Sequence, residues 1–491
     1  MRQCLTSLDG GYYTSQTSGH DQFGQKGDFV TSPEISQIFG ELVGLWVLAE
    51  WIAQGRRSEG VYIMEIGPGR GTLMDDMLRT IRNFKPLASA LEAIYLVEAS
   101  PSLRETQHKL LCGSNPLEET DMGHQSTSRH AGSLRVVWTE DIRFVPKAIV
   151  INKLKAADAS KTPFIIAHEF FDALPIHIFQ TVPPSTGTNT ITTPTGTHAT
   201  RLPRASQTNQ WREMVVSPSP PYQIAAPKAT PESQPEFQLT LAKASTPHSL
   251  YLPETSPRYQ ALKSTTGATI EISPESQAYA SDFAVRIGGS NPISASRPSS
   301  ASQATASTRT VGSLRQDESI QKVTPSGAAL ILDYGPPSTI PANSLRGIRA
   351  HTRVSPFTAP GQVDVSADVD FLALAESAIN ASPGVEVHGP VPQAVFLEAM
   401  GIKERAAQLV KQAVDRERGG SADGKTSGEK SRKEDLTEQV QRIESGWKRL
   451  VDRSPQGMGR LYQAMAIVPY RPVKEGEPRR RPVGFGGDIK L

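Results

Sequence analysis

An α/β fold with a mostly parallel central sheet is what this sequence predicts, and three stretches predict it. Val61–Ile66 is an apolar run that ends in the turn Gly67-Pro68-Gly69-Arg70-Gly71, after which the pattern continues as a helix to about Phe84. Ala93–Val97 is a second apolar run and closes on Glu98. Gly327–Gly335 is a third, almost wholly apolar until Asp333 and Tyr334. Uninterrupted apolar strands with polar tips, separated by helical stretches, mark a parallel sheet buried on both faces, and such sheets bind ligands at their carboxyl edge.

The glycine turn says what kind of ligand. Gly67, Gly69 and Gly71 alternate strictly and Glu65 precedes them, whereas a dinucleotide fingerprint spaces its glycines G-x-G-x-x-G. Without a Cβ, backbone can approach a ligand closely, and the helix that follows presents unpaired N–H groups. Glu98, at the tip of the next strand, is placed to accept both hydroxyls of a ribose. An E-x-G-x-G-x-G turn followed by a strand-end glutamate looks like the S-adenosylmethionine (SAM) site of a class I methyltransferase with a Rossmann-like sheet. That makes Glu65, Gly67, Pro68, Gly69, Gly71 and Glu98 candidates for cofactor contact. A turn that binds nothing is the competing reading of the glycines alone, and Glu98 weighs against it.

Composition excludes several classes. The chain has 491 residues and 52 basic against 50 acidic side chains, so its formal charge of +2 supplies no bulk attraction to nucleic acid. A hydrophobic share of only 37%, with 38 prolines and 39 glycines, points to disordered insertions that dilute an ordinary globular domain. Cys4 and Cys112 are the two cysteines, too few for a disulfide framework or a cysteine metal site. No apolar run approaches a membrane span. Met1–Leu5 reads as the end of a helix, which points to sequence upstream, and no Arg- and Ser-rich import presequence is recognisable.

Residues 1–60 read as a loop and helix that close over the site. Gly10-Gly11-Tyr12-Tyr13 starts a loop running to Lys26, and Ser32 with Pro33 begins a helix to about Gln54 whose Ile35, Ile38, Phe39, Leu42, Leu45 and Trp46 form one apolar face. Asp28, Thr31, Ser32 and Glu34 lie where this segment reaches the glycine turn. Helix capping accounts for Ser32 equally well. The segments G-Y-Y-T, G-D-F-V-T-S-P-E-I-S-Q-I-F-G-E-L-V-G-L-W and M-E-I-G-P-G-R-G-T-L-M resemble the MidA-like family, whose mitochondrial members are protein arginine methyltransferases acting as assembly factors for respiratory complex I.

Beyond Glu98, a short helix from Pro101 to Leu111, a polar connection from Gly113 to Gly132 and a third strand, Leu134–Trp138, follow in order. Asp141, with Glu140 beside it, stands after that strand, where class I methyltransferases often place an acid against the adenine amino group. The next strand ends in His168-Glu169-Phe170-Phe171-Asp172, the position at which the group receiving the methyl is held. Glu169 and Asp172 are three residues apart, so a helical turn would aim both carboxylates at one spot. A guanidinium offers a planar fork of donors that matches carboxylates, yet its nitrogens are poor nucleophiles, and two carboxylates can orient one nitrogen and take up its proton. Glu169, Asp172 and His168 are therefore the catalytic candidates, although a lone strand-end histidine is more often structural. Phe170 and Phe171 are candidate walls for the substrate, with Tyr334 and Asp28 completing that list. His-Glu-Phe-Phe-Asp-Ala-Leu-Pro-Ile-His matches the family's characteristic motif closely.

Residues 61–176 form the first part of the SAM-binding domain, and residues 177–326 read as an inserted α+β subdomain. Within the insertion, Ile176–Phe179 and Trp211–Val216 form a hairpin, Phe237–Leu241 and Thr269–Ile272 are strand-like, and Pro274–Ile287 is helical. Its stretches at 181–210 and 288–326 are Thr-, Ser-, Pro- and Ala-rich linkers. Residues 327–491 complete the domain. They include a loop bearing Asp364, Ser366 and Asp368 that lacks the glycine and glutamate of a calcium loop and is read as capping a helix, so no metal site is assigned. Helices are expected from Asp370 to Ala378 and from Gly389 through Val414, a solvated linker at 416–434, a last strand at Leu461–Val468, and an exposed Arg479–Arg481 tail.

The resemblance implies SAM as cofactor, symmetric dimethylation of an arginine on a complex I subunit as the reaction, and a mitochondrial location. It names no nucleic-acid partner, and an assembly of identical copies is compatible with the sequence. Two other readings compete: a SAM-dependent enzyme acting on a small molecule, and a non-catalytic assembly chaperone that keeps the SAM site.

Overall fold

The structure is a computed structural model that describes residues 1–7, 9–14, 24, 27–147, 161–184, 190–193, 195–199, 208–220, 235–290, 322, 324–420, 429–473, 476 and 479–486. A nine-stranded mixed sheet organises it. Across the sheet the strands run Val385–Pro392, Tyr462–Pro469, Ala328–Tyr334, Thr162–His168, Val61–Ile66, Leu91–Val97, Arg135–Thr139, Gly123–Thr127 and Glu118–Thr120. The five from Ala328–Tyr334 to Arg135–Thr139 are mutually parallel, and the strand order reverses at Val61–Ile66. Tyr462–Pro469 is antiparallel to its neighbours on both sides. This is the Rossmann-like class I methyltransferase sheet that the glycine turn and the apolar runs predict.

Strand alternation sends side chains to two cores. Val61 and Ile63 join one with the helices Gln37–Ala53 and Thr72–Ile81, while Tyr62, Met64 and Ile66 join the other with the helices Pro274–Gly288 and Phe371–Ala381. The Pro274–Gly288 helix thus belongs to the main core, through Ala280, Phe283, Ala284 and Ile287, although it follows the accessory strands in sequence. Those strands, Phe237–Leu241, Gln210–Pro218, His177–Val182 and Thr269–Ile272, form a separate antiparallel sheet in that order, with their own cluster of Phe179, Trp211, Leu252, Tyr259, Ile270 and Ile272.

Several expectations are corrected. The helix after the glycine turn stops at Ile81. The run from Pro33 to Gln54 is two helices, Ser32–Ile35 and Gln37–Ala53, parted by the extended Ser36, and Thr31 is the first N-cap in place of Ser32. The polar connection after Leu111 contains a hairpin, Glu118–Thr120 with Gly123–Thr127, that extends the sheet. Residues 385–392 form an edge strand where a helix cap was expected. The described parts of the expected solvated linker at 416–434 are helical: one helix continues to Gly420 and another runs Glu429–Leu450. Its Leu436, Val440, Ile443, Trp447 and Leu450 repeat at three- and four-residue spacing, a signal that starts just beyond the expected linker. In the linker at 181–210, Thr190–Thr193 pairs with Gly196–Ala199. Residues 15–23, 25–26, 148–160, 185–189, 200–207, 221–234, 291–321 and 421–428, which hold most of the predicted loops and linkers, lie outside the described residues. Among the described residues no helix is long and apolar enough to cross a membrane.

Candidate functional site

Parallel register brings two turns together. In the pairing of Val61–Ile66 with Thr162–His168, Glu65 aligns with Ile166 and Ile66 with Ala167, so the glycine turn and the His168–Asp172 segment leave the same edge side by side. A Cβ built on Gly67 would lie 2.9 Å from Cδ2 of Phe170, which shows how closely the two turns pack. Together they wall a cavity of about 980 Å³, lined also by Glu65, Pro68, Gly69, Thr72, Glu98, Asp141, Asp172, Tyr334 and Arg346.

The glycine turn requires left-handed backbone three times, with φ of +64° at Gly67, +53° at Gly69 and +84° at Gly71. Gly71 does not line the cavity. It is the N-cap of the Thr72–Ile81 helix, and its missing Cβ lets Gln107 approach, since an added one would lie 3.2 Å from Gln107 Cγ. Gln107 is fully buried. It donates to the Gly69 carbonyl at 2.6 Å and to Glu98 Oε2 at 3.2 Å, and accepts from Trp138 Nε1 at 2.9 Å, so one side chain ties the glycine turn to the strand-end acid. Sequence reasoning missed it. The available signal was a polar residue within the i, i+4, i+8 stripe of Leu103, Gln107 and Leu111.

Glu65 and Glu98 are both buried at the cavity wall. Burial, and then the nearby Glu98, pushes the Glu65 carboxyl up to about 8, while burial raises Glu98 to about 7 against the opposing hydrogen bonds from Ser100 N and Gln107. Oε2 of Glu65 has no hydrogen-bond partner among the described residues. A buried acceptor of this kind suits a cationic or N–H-bearing ligand, and the Cβ-free turn beside it suits close approach, so these residues fit SAM. Asp141 lines the cavity too, but Arg143 grips its carboxylate through Nε at 3.0 Å and Nη2 at 2.7 Å.

Beyond the central strand, Glu169 adopts φ of +49°, a strained conformation for a residue with a side chain. Three hydrogen bonds hold the segment in place: Glu169 N donates to the Leu332 carbonyl at 2.9 Å, and Phe170 N and Phe171 N donate to Asp333 Oδ2 at 3.0 and 2.7 Å. Asp333, the polar tip at the end of the third apolar run, is a fully buried strap for this turn. Glu169 Oε1 accepts from Ser32 N at 3.3 Å, so the N-terminal segment sets its position; His168 Nε2 lies 3.1 Å from the same oxygen without a hydrogen bond to it. His168 is buried, with its ring 5.0 Å from that of Phe39.

Asp172 faces the same cavity from a more charged neighbourhood. Burial first, and then Asp333, holds its carboxyl well above the usual range, and Arg346 opposes them with Nη2 4.0 Å from Oδ2. The Arg346 guanidinium lies 4.4 Å from the centre of the Tyr334 ring and also pairs with Asp368. Asp364, which the loop reading placed at a helix cap, lies in the strand Asp364–Ser366; it lines the cavity and accepts from the Tyr13 hydroxyl at 2.9 Å, with burial raising its carboxyl to about 6. The cap of the Phe371–Ala381 helix is Asp370. Arg346, Asp364, Tyr13 and Tyr462 join the site from distant parts of the chain, and no local pattern marks them.

Besides Gly71, two candidates lie elsewhere. Asp28 is buried outside the cavity lining, accepting from the Tyr12 hydroxyl at 2.6 Å and Ala350 N at 2.7 Å, and so fastens the N-terminal loop to the turn after Arg349. Its neighbours Phe29, Val30, Thr31, Pro33 and Glu34 line the cavity in its place. Phe171 is core, packed against Tyr279 and Phe283, and Phe170 alone of the pair reaches the cavity.

Comparison with known proteins agrees with this geometry. A family profile described as "Putative S-adenosyl-L-methionine-dependent methyltransferase" matches residues 42–391. "Protein arginine methyltransferase NDUFAF7, mitochondrial" of Mus musculus is 30% identical over 487 residues, covering 98% of this chain and 82% of the mouse protein. The Drosophila melanogaster homolog is 29% identical over 96% of this chain and 80% of its own length, and the Homo sapiens protein 28% over 98% and 81%. A Burkholderia thailandensis crystal structure with S-adenosyl-homocysteine bound matches with a TM-score of 0.56 at 19% identity, covering 95% of this chain and 86% of that one.

Proposed function

Because the chain belongs to the SAM-dependent methyltransferase family whose profile spans residues 42–391, we propose that it is a protein arginine N-methyltransferase, that its substrate is a subunit of respiratory complex I met during assembly, and that it works in mitochondria. The mitochondrial arginine methyltransferases it resembles over nearly its full length support this reading. The observation that carries it is the shared wall of the cavity. The glycine turn and the carboxylates of Glu169 and Asp172 face one space, and Phe170 packs directly on Gly67 between them.

SAM, when bound, supplies a methyl group on a sulfonium as the electrophile. Glu65, Gly67, Pro68, Gly69 and Glu98 hold it in this reading, and Gly71 acts through the packing of Gln107. Glu169 and Asp172 orient the substrate guanidinium, so that one terminal nitrogen points along the line of displacement. The positive charge of the guanidinium favours the ionised form of Asp172, against the burial that raises its carboxyl, and that carboxylate receives the proton this nitrogen loses. His168 Nε2 lies 3.1 Å from Glu169 Oε1 without a hydrogen bond and is not itself required to carry a proton. The site already handles a guanidinium of its own: Arg346 rests on the face of Tyr334 between Asp172 and Asp368, the contacts an incoming arginine needs.

The test is incubation of the full chain with methyl-labelled SAM and isolated complex I subunits, followed by mass spectrometry of arginine-containing peptides. Label on an arginine, as dimethyl in the final product, is the expected result. SAM binding without arginine labelling on any subunit would overturn the substrate assignment, and absence of SAM binding would overturn the cofactor site.

A further inference from the structure

The accessory sheet carries a side-chain cluster that methyl transfer does not use. His177, the last residue of the characteristic segment, begins the strand His177–Val182, Glu213 lies on the paired strand Gln210–Pro218, and His248 stands on the short helix Pro247–Tyr251. Phe179 aligns with Glu213, so His177, two residues away on the same face, is the diagonal neighbour of that acid. Nδ1 of His177 is 2.7 Å from Glu213 Oε1, and Nδ1 of His248 is 3.8 Å from the same oxygen. The two imidazole centres are 4.3 Å apart. One potential ligand atom from each residue lies within 4.8 Å of the other two, and this is the one such group of His, Cys, Asp and Glu among the described residues.

We propose that His177, Glu213 and His248 form a three-ligand site for a divalent transition ion of the zinc class. In a tetrahedral zinc site with Zn–N and Zn–O of about 2.1 Å, ligand atoms stand about 3.4 Å from one another. The spacings of 2.7 and 3.8 Å bracket that value, and small rotations of two imidazoles close the difference. Two nitrogens and one carboxylate oxygen suit zinc, whereas calcium and magnesium need six or more oxygens. Glu213 is prepared as a ligand. The Thr246 hydroxyl donates to its second oxygen and fixes its rotation. Burial opposes its charge, and the His177 and Thr246 hydrogen bonds outweigh that burial, so the carboxyl sits below its ordinary range. The fourth position opens on the His248 side, where that ring is 57% exposed. Binding displaces the proton between His177 Nδ1 and Glu213: it moves to Nε2 when the ring is neutral and to solvent when the ring is charged, the ion takes its place, and no electron moves. Such an ion joins two strands to the helix that follows them. None of the three ligands lines the methyl-transfer cavity.

The experiment strips the full chain of metal with a chelator, then titrates it with zinc chloride by calorimetry and with cobalt(II) by visible absorption. One ion per chain and the intense visible bands of four-coordinate cobalt are expected. His248→Ala removes an exposed ligand and should weaken zinc binding at least roughly tenfold without changing the melting temperature of the metal-free protein. Glu213→Gln should weaken it too, and His124→Ala should not. The site is overturned by the absence of stoichiometric binding, by weak six-coordinate cobalt bands, or by unchanged affinity in His248→Ala, which would place the ion elsewhere.

Discussion

Glu65→Gln probes the cofactor site most sharply. In the folded chain burial and Glu98 lift this carboxyl from 4.5 to about 8, so it stays protonated through neutrality, while in the unfolded chain it ionises near its ordinary value. A group whose folded value is raised contributes stability that is complete below the unfolded value and is lost as pH climbs to the folded one. At about 1.4 kcal/mol per tenfold change in proton concentration, with the slope halving as pH reaches the folded value, moving from about pH 6 to about pH 8 removes about 2 kcal/mol. Above that the loss levels off. Glutamine keeps the shape and cannot titrate, so its curve lacks this slope. Paired urea unfolding of parent and variant across this range measures the difference directly, and it should move by about 2 kcal/mol in the variant's favour before flattening. SAM adds a second reading. Its cationic groups favour the carboxylate, so binding expels the proton and affinity should rise more steeply with pH in the parent, by up to about tenfold per unit between about pH 6 and pH 8 beyond what Glu98 contributes in both proteins. Parallel unfolding curves, or the same affinity slope in both proteins, would refute the buried, protonated carboxyl.

Other perturbations separate binding from turnover. Glu169→Gln should leave SAM affinity intact and lower methylation by roughly 10² to 10³-fold; an equal fall in both, measured by calorimetry and peptide mass spectrometry, would contradict the division of roles. Gly69→Val places a branched side chain at φ of +53°, with strain of about 1–2 kcal/mol on top of obstruction in the cavity, and should abolish the rise in melting temperature that SAM produces. Asp333→Ala orphans the N–H groups of Phe170, Phe171 and Tyr334 at about 1–3 kcal/mol each where they stay dry, so amide exchange at Phe170 and Phe171 should accelerate and turnover should fall; unchanged exchange would rule out the strap.

The chemistry of the site was readable where it depends on consecutive residues. Gly67, Gly69 and Gly71 have left-handed backbone that their residue type announces, and Glu98 and Glu169 sit at strand ends that apolar runs announce. Candidates in loops fared differently. Asp28 and Phe171 have the right residue types in the right segments, yet one latches a loop and the other fills the core, because a side chain's direction is set by what packs around it. The Glu429–Leu450 helix was missed at a charged start whose apolar stripe begins later.

The sequence by itself determined the mostly parallel sheet and the kind of ligand its edge accepts, since an unbroken apolar pattern and a Cβ-free turn act locally; the order of the strands across the sheet came from the fold. Tertiary structure alone decided that Gln107 links the glycine turn to Glu98, that Asp333 holds the turn bearing Glu169, and that Arg346, Asp364 and Tyr13 complete the wall. Those contacts join residues tens to hundreds of positions apart, and neither partner's neighbours in sequence encode the distance. Where burial is what raises a carboxyl, as at Glu65 and Asp172, the raised value exists only once the fold has excluded water from both.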